Sequence, residues 1–332
     1  MTPSLSFDDL VDEALQRLDD RHVIRALIQR DGRILGHVPA ATRLGGLTHA
    51  SRVREQLERL TVLARVTERQ GYDRAVVLGD SCGWGNVIGQ HLQGKRGMTV
   101  RGVSATYSVE TILAWAAQGR PLFVVLDGGD WQATRAQYRA CRAQFERGAD
   151  FVGVGRLHGD VAQLADEAEF REFFAEVADI HGAFGVTGLA GMVPAVLAGV
   201  VITDALARVE ESIEQNTELI ARRNPAAQLA AFLWAAEQRG RRQLHLCLSK
   251  DVSALGAWIS ALLATSLGAD RAGLVVPMPA GLQPTPCAAA TLARSSVVGL
   301  STFEQPDAPG LDDLEDRGAP GHSVVMPSVE DL

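Results

Sequence analysis

The spacing of apolar residues divides the chain into a helical beginning and a longer part in which short apolar runs alternate with helices. Residues 7–29 and 51–70 carry apolar side chains at three- and four-residue intervals, which is typical of amphipathic helices. Beyond residue 71 the apolar residues form short runs that alternate with further helical segments, a pattern that predicts a parallel sheet covered on both faces. The predicted strands of this sheet are residues 74–79, 100–104, 122–127 and 151–155.

A second, smaller α/β unit is predicted nearer the end of the chain. Residues 160–238 are mostly helical in pattern, and apolar runs at 243–249 and 273–278 predict two more strands. From residue 305 onward Asp, Pro and Gly dominate, which favours a solvated tail. The predicted organisation is a helical lead-in at 1–70, a first α/β domain at 71–178, a second α/β domain at 179–304 and an acidic Pro/Gly-rich tail at 305–332.

The composition narrows the class of protein. With 332 residues, 46% of them hydrophobic, the chain has ample material for one or two buried cores. The net charge of −8 comes from interspersed acids and bases, so we expect no nucleic-acid partner. Four widely spaced cysteines show no metal-ligand spacing, and we expect no metal and no other cofactor. Because the sequence has neither a signal-peptide pattern nor an apolar run of roughly 18 residues, we expect a cytoplasmic protein without membrane contact.

The turn after the third predicted strand carries the first candidate chemistry. Asp127, Gly128, Gly129 and Asp130 stand between an apolar run and a helix, where an open α/β sheet places a ligand pocket. A helix N-terminus attracts anions, but two carboxylates would repel a phosphate and favour a cationic or amine-bearing ligand. The other interpretation is that both aspartates only satisfy the turn and the free N–H groups of the helix. Thr134, one turn into the helix, completes this candidate binding loop.

The turn after the first predicted strand is a second candidate. Asp80, Ser81, Gly83 and Trp84 lie in a glycine-rich strand-to-helix turn, at the expected switch point of the sheet. Its glycines either serve close packing alone or let a ligand approach the backbone. In the second case Asp80 adds negative charge to the pocket, and the Trp84 ring covers an ammonium group of the ligand.

Several segments, in chain order, are similar to motifs of the phosphoglucose isomerase family. The most specific is at 179–199, which begins Asp-Ile-His-Gly-Ala-Phe and ends Gly-Met-Val-Pro-Ala-Val-Leu-Ala-Gly. Arg-Leu-Gly-Gly-Leu-Thr at 43–48 and Phe-Glu-Gln-Pro-Asp at 303–307 resemble two others. The similarity is greatest to the isomerase half of bacterial proteins in which a transaldolase and a phosphoglucose isomerase are fused. It implies two sugar isomerase (SIS) domains, each a flavodoxin-like parallel-sheet unit, with a helical lead-in and a helical connector.

The chain departs from this family where the family carries its chemistry. Ala183 replaces the family's stabilising arginine, and the loop that grips phosphate has lost its lysine, its serine and most threonines. The glutamate base and the segment with the ring-opening histidine are missing after residue 278, and Asp312 stands where the family has lysine. His181 remains as a candidate acid/base group, and Gln305 matches a glutamine that contacts substrate in the family.

These departures lead to three hypotheses, and they leave open whether the protein is an enzyme. The first is a degenerate, non-isomerising protein that binds a small polar metabolite between its two units, with a transaldolase-like protein or a second copy as partner. The second is a repurposed isomerase-type enzyme that moves protons on a polyhydroxylated or amine-bearing molecule, with His181, Asp127 and Asp130 as its catalytic groups. The third is an ordinary glucose 6-phosphate isomerase with shifted residues.

Overall fold

The structure, a computed structural model, divides the chain into two compact units. One unit is formed by residues 42–209, and the other combines residues 1–41 with residues 210–332. We refer to them as the first-sheet unit and the second-sheet unit. The residues that the structure describes are 5–31, 49–80, 83–92, 97–103, 108–127, 130–176, 182–267, 293–306 and 311–326.

The first-sheet unit is built on five parallel strands in the order β2-β1-β3-β4-β5. This is the flavodoxin-like order, and it confirms the predicted α/β class. Four of the strands match the predicted ones within a residue or two, but the fifth lies in a stretch predicted to be helical. The strands are β1 Arg74–Leu78, β2 Thr99–Gly102, β3 Pro121–Leu126, β4 Phe151–Arg156 and β5 Glu172–Glu176.

The core of this unit forms because the central strands carry almost only apolar residues. Every residue of β3 is buried, as expected for a strand with helices on both faces. Phe123 of β3 stacks on Phe151 of β4 with ring centres 4.9 Å apart, and Tyr138 meets Phe151 edge-on at 5.2 Å. Aromatic pairs of this kind add about 1 kcal/mol each beyond the area that they bury.

Seven α-helices are described within the first-sheet unit. The predicted helix at 51–70 is two helices, because the chain breaks at Gln56. The short helix after β1 continues as a π-helical turn at Ile88–Leu92. The α-helices of this part are α3 His49–Glu55, α4 Leu57–Arg69, α5 Trp84–Val87, α6 Val109–Ala116, α7 Trp131–Gln144, α8 Asp160–Glu167 and α9 Leu189–Leu197.

The second-sheet unit contains three parallel strands in the order β6-β7-β8 among its described residues. They are β6 Gln243–Leu248, β7 Ser295–Thr302 and β8 Gly321–Met326. The predicted strand at 273–278 lies outside the described residues. Helix α10, Ile202–Asn216, runs across the boundary between the units. The other α-helices are α1 Phe7–Asp20, α2 Val23–Ile28, α11 Pro225–Gln238, α12 Leu255–Leu267 and α13 Leu311–Asp316.

The end of the chain differs from its prediction as a solvated tail. Helix α13 and strand β8 both lie beyond residue 305, and β8 pairs with β7 over six residues. Leu314 and Ala319 are buried against Cys247 and Val297, so a few apolar residues in an acidic stretch suffice to dock the helix. The predicted domain bounds at residues 70, 178 and 304 stay predictions.

Candidate functional site

The strand order of the first sheet defines where a ligand site is expected. The chain leaves β1 toward β2 on one side and β3 toward β4 on the other, so the carboxyl ends of β1 and β3 form the switch point. The turn after β1 and the turn after β3 meet here. The N–H of Gly79 donates to Oε1 of Gln137 at 2.9 Å, and a Cβ atom at position 79 would lie 2.8 Å from Oγ1 of Thr134. Gly79 also has a φ of +74°, so glycine is required on both grounds.

The carboxylate of Asp80, which follows Gly79, accepts hydrogen bonds from the start of α5. Its side chain is only 2% exposed. Oδ1 accepts the N–H of Trp84 at 2.9 Å and Oδ2 accepts the N–H of Gly85 at 2.8 Å. These two N–H groups begin the helix after β1, and they are the groups that would otherwise meet the negative charge of a ligand. The chain thus places its own anion where an anionic ligand would bind.

Trp84 is part of the protein core. Only 7% of it is exposed, and Gly83 before it has a φ of +75°, which places the tryptophan at the start of α5. The glycine that follows packs tightly, since a Cβ atom at position 85 would lie 3.0 Å from Cγ2 of Val77. Because the Trp84 ring is almost fully buried, the expectation that it covers a ligand stays a prediction. For Gly83 and its neighbour the close-packing interpretation is the better one.

Asp130 and Thr134 hold the second turn together. Asp130 precedes α7, and its Oδ1 accepts the N–H of Ala133 at 3.0 Å, which makes it the N-cap of the helix. Thr134 is 2% exposed and donates its hydroxyl to the carbonyl oxygen of Asp130 at 3.0 Å. Asp130 thus acts in the way that the capping interpretation predicts, and the Thr134 hydroxyl bonds within the first turn of α7.

Asp127 forms an ion pair instead of a cap. Its Oδ2 accepts the Nε–H of Arg156, the last residue of β4, at 2.9 Å. The Asp127 side chain is 18% exposed and the Arg156 side chain is 58% exposed, so the arginine lies mostly in solvent. Arg156 is a residue that the sequence reasoning missed, because the pair joins two strands that are adjacent only in the folded sheet.

A third helix at this edge of the sheet also begins on an acidic side chain. Glu176, at the carboxyl end of β5, accepts the N–H of Ala190 at 3.0 Å in the first turn of α9. A Cβ atom at position 188 would lie 2.9 Å from the same carboxylate, so the glycine there lets the two approach. Glu176 was missed because β5 was missed. Three helix N-termini along this edge are therefore capped by carboxylates of the chain.

The other predicted site residues fall in two groups. Ser81, Gly128, Gly129 and His181 lie outside the described residues. Gln305 belongs to the second-sheet unit, where its backbone N–H donates to Oγ1 of Thr302 at 3.2 Å and it is solvent-exposed. The Thr302 hydroxyl in turn donates to Asp251.

Within the described ranges no group of three or more His, Cys, Asp or Glu side chains could hold a metal ion. Over the same ranges no helix is both long enough and apolar enough to cross a membrane.

Solved structures with the same fold show what this arrangement resembles. The chain is similar to a hypothetical protein from Thermus thermophilus, with a TM-score of 0.74 and 16% identity over 98% of this chain and 88% of that one. It is similar to a glucose-6-phosphate isomerase from Chlamydia trachomatis, with a TM-score of 0.64 and 15% identity over 89% of this chain and 66% of that one. A tagatose-6-phosphate ketose/aldose isomerase from Escherichia coli gives a TM-score of 0.53 and 13% identity over 97% of this chain and 88% of that one.

These comparisons identify the fold of the chain. The structural similarity confirms the predicted SIS-type architecture and the resemblance to the phosphoglucose isomerase fold. No protein family model matches the sequence, and no curated protein matches it. Because function depends on the site and not on the fold, the chemistry of the sheet edge has to be judged from its own residues.

Proposed function

We propose that this chain keeps the sugar isomerase scaffold without aldose/ketose isomerase activity and serves as a binding or partner protein. The observation that carries the proposal is the carboxylate of Asp80, which occupies the N–H groups of Trp84 and Gly85. A phosphosugar would need free N–H donors or cations at this edge of the sheet. Capping by Asp130 and Glu176 supports the same conclusion at two further helices.

Electrostatics supports the loss of phosphosugar binding. Asp127, Asp130 and Glu176 border the edge, and Arg156 is already paired with Asp127. A phosphate charge about 5 Å from one carboxylate would be repelled by about 3 kcal/mol at an effective dielectric constant near 20. Each further carboxylate adds to this repulsion. A ligand bound at this edge is therefore uncharged or cationic.

The proposed partner role draws on the resemblance to bacterial fusions of transaldolase and isomerase. A chain that has kept the scaffold alone would dock a separate transaldolase-like protein in place of the fused domain. The test is light scattering of the full chain mixed with the transaldolase-like enzyme of the same organism. A complex of defined mass supports the role, whereas two separate monomer peaks at micromolar concentrations count against it.

Ligand-induced stabilisation tests the binding role separately. We expect glucosamine, a cationic sugar, to raise the melting temperature more than fructose 6-phosphate does. Asp127→Asn should reduce the glucosamine shift, because it removes a partly exposed carboxylate at the end of β3. Asp312→Asn, an exposed site in the second-sheet unit, is the control. If only fructose 6-phosphate raised the melting temperature, and by the same amount in Asp127→Asn, the proposed binding role would be contradicted.

A repurposed isomerase-type enzyme is the second candidate. The favouring observation is the Asp127–Arg156 pair, which combines a proton acceptor with a mostly exposed cation. Such a pair would move a proton on a polyhydroxylated or amine-bearing substrate and stabilise the charge that develops. Proton exchange from solvent deuterium into candidate sugars, lost in Asp127→Asn, would favour this candidate over a pure binding protein.

A further inference from the structure

A cavity of about 610 Å³ lies in the second-sheet unit, away from any residue that the sequence singles out. Its apolar wall consists of Phe7, Val11 and Leu15 on one side of α1, with Phe232 of α11. The Phe232 ring is 5.6 Å from the ring of Phe7 and 5.3 Å from the ring of His322. This volume is in the range of ligand sites in proteins, about 300–1,000 Å³. We call it the α1–β8 pocket.

The rim of the α1–β8 pocket is polar and on balance acidic. Asp8, Asp12 and Arg222 supply its charges, and Nη1 of Arg222 lies 2.8 Å from Oδ1 of Asp12. Burial lowers the pKa of His322, so its ring is uncharged near neutral pH. One carboxylate therefore remains in excess at the rim. The bordering helix α1 strengthens this sign, since it contains six acidic residues and one arginine: Asp8, Asp9, Asp12, Glu13, Asp19, Asp20 and Arg17.

Strand β8, whose first residues line the pocket, has one edge without a partner among the described strands. Val297 donates its N–H to the carbonyl oxygen of Pro320 at 3.0 Å, and Phe303 donates to the carbonyl oxygen of Met326 at 3.0 Å. In a parallel pair, alternate residues direct their N–H and C=O groups to the neighbouring strand. The even-numbered residues of β8 therefore face β7, and no described strand lies on the other side. The residues that direct their backbone groups to that outer side are Gly321, Ser323 and Val325.

The strand itself carries few of the features that normally protect an edge, and the nearest charged group is the Glu315 carboxylate of α13, beside Gly321. Natural edge strands carry charged side chains, prolines or bulges that prevent another strand from pairing. The sequence of β8 is Gly-His-Ser-Val-Val-Met, with no lysine, acid or proline. Val325 is 43% exposed, and Phe303, which follows β7, is 68% exposed. The outer edge of β8 thus includes one exposed apolar side chain, Val325, and adjoins a pocket with an acidic rim.

We propose that the α1–β8 pocket binds an extended basic peptide segment of a partner protein, which pairs with the outer edge of β8. One apolar side chain of the peptide packs against Phe7 and Val11, which are partly exposed, and flanking Lys or Arg residues face Asp8 and Asp12. Strand addition of this kind gains affinity from main-chain hydrogen bonds and specificity from pockets for alternate side chains. The charge of the rim selects a basic peptide over an acidic one.

The test selects random linear dodecapeptides displayed on phage against the full chain. We expect the enriched peptides to carry an apolar residue flanked by Lys or Arg. Ser323→Pro removes an outward N–H without breaking the ladder to β7, because proline is tolerated at solvent-facing edge positions. Synthetic copies of the enriched peptides should bind Ser323→Pro at least about tenfold more weakly than the unmodified chain. Ser323→Ala, which keeps the N–H, should bind them as the unmodified chain does.

A second variant keeps the test decisive if Ser323→Pro lowers the melting temperature. Asp12→Lys lies on an exposed surface of α1 and reverses the charge of the rim, so it should weaken basic peptides several-fold and leave folding intact. Failure to enrich any peptide would overturn the proposal. So would acidic consensus sequences, or binding that is unchanged in both variants. A concentration-dependent dimer that Ser323→Pro dissociates would assign the edge to a second copy of this chain and overturn it as well.

Discussion

Asp80 and Gly102 approach so closely that a Cβ atom at position 102 would lie 2.1 Å from Oδ2 of Asp80. Gly102, the last residue of β2, thus leaves room for the carboxylate that accepts the first N–H groups of α5. Gly85 completes the arrangement, because its N–H donates to the same oxygen at 2.8 Å. The Asp80 carboxylate, just after β1, is therefore packed against both the end of β2 and the start of α5.

The first prediction concerns this contact. Gly102→Ala should lower the free energy of unfolding by about 1–3 kcal/mol, because the added methyl group displaces a buried carboxylate. In an Asp80→Ala background the same change should cost much less, since the clashing oxygen is gone. Urea unfolding of the four proteins in this double-mutant cycle measures the coupling. Equal costs in both backgrounds would mean that Asp80 does not hold this position.

The second prediction concerns Asp80 itself. Asp80→Ala should cost about 3 kcal/mol, because two buried N–H groups lose a charged acceptor. Formate or phosphate at about 100 mM should restore part of this stability by binding the freed N–H groups, while chloride at equal ionic strength should not.

The control for this rescue is the other capping aspartate. Asp130→Ala removes one hydrogen bond at an exposed helix end, so it should cost about 1 kcal/mol and show no rescue by anions. Melting temperatures of the two variants with and without formate provide the comparison. If formate stabilised both variants and the unmodified chain equally, Asp80 would not be the occupant of an anion site.

The third prediction concerns pH. Burial lowers the pKa of His245, whose Nε2 lies 2.9 Å from Oγ of Ser295, and it lowers the pKa of His322. The unfolded chain takes up protons on these residues near pH 6.5, before the folded chain does. The free energy of unfolding should therefore fall as the pH decreases from about 7 to about 5. Urea midpoints at these pH values measure the slope, which should be shallower in His245→Gln. A variant with the full slope would assign the pH dependence to other groups.

The fourth prediction concerns cysteine reactivity. Burial raises the pKa of Cys141 to about 12, and burial together with Glu315 raises the pKa of Cys247 to about 11. Since the thiolate is the reactive form, both should resist thiol reagents in the folded protein and react at once in urea. The measurement uses a Cys82→Ser, Cys287→Ser variant, which leaves these two thiols alone. Fast labelling of the folded variant would show that the core around β6 or α7 opens readily.

Much of the fold could be predicted, because β1, β3 and β4, the central strands of the first sheet, are nearly continuous apolar runs. Besides β8, which lies in the predicted tail, strands β5 and β7 were not predicted, for physical reasons. β5 has only five residues, and glutamates stand at both of its ends. β7 begins with Ser295 and Ser296, which are buried although they are polar, so its sequence lacks the usual apolar signal. In both cases pairing with a neighbouring strand determines that the segment is a strand. The local pattern of apolar residues carries no information about that pairing.

In the candidate site, too, contacts between neighbours in sequence could be predicted and contacts between distant residues could not. The sequence identified Asp80, Asp127 and Asp130 as unusual for a phosphate-binding edge, and it offered helix capping as one explanation. For Asp130 the partner lies three residues away, so local sequence suffices. For Asp127 the partner is Arg156, 29 residues away on another strand, and only the sheet register brings the two together.

The proposed function requires that this scaffold does not interconvert phosphosugars. The most direct measurement is conversion of fructose 6-phosphate to glucose 6-phosphate by the purified full chain, coupled to glucose-6-phosphate dehydrogenase. We predict a rate equal to that of the Asp80→Ala, Asp127→Asn double variant and to the background without protein. Turnover of about 1 per second or more, in the ordinary range of enzymes, would contradict it.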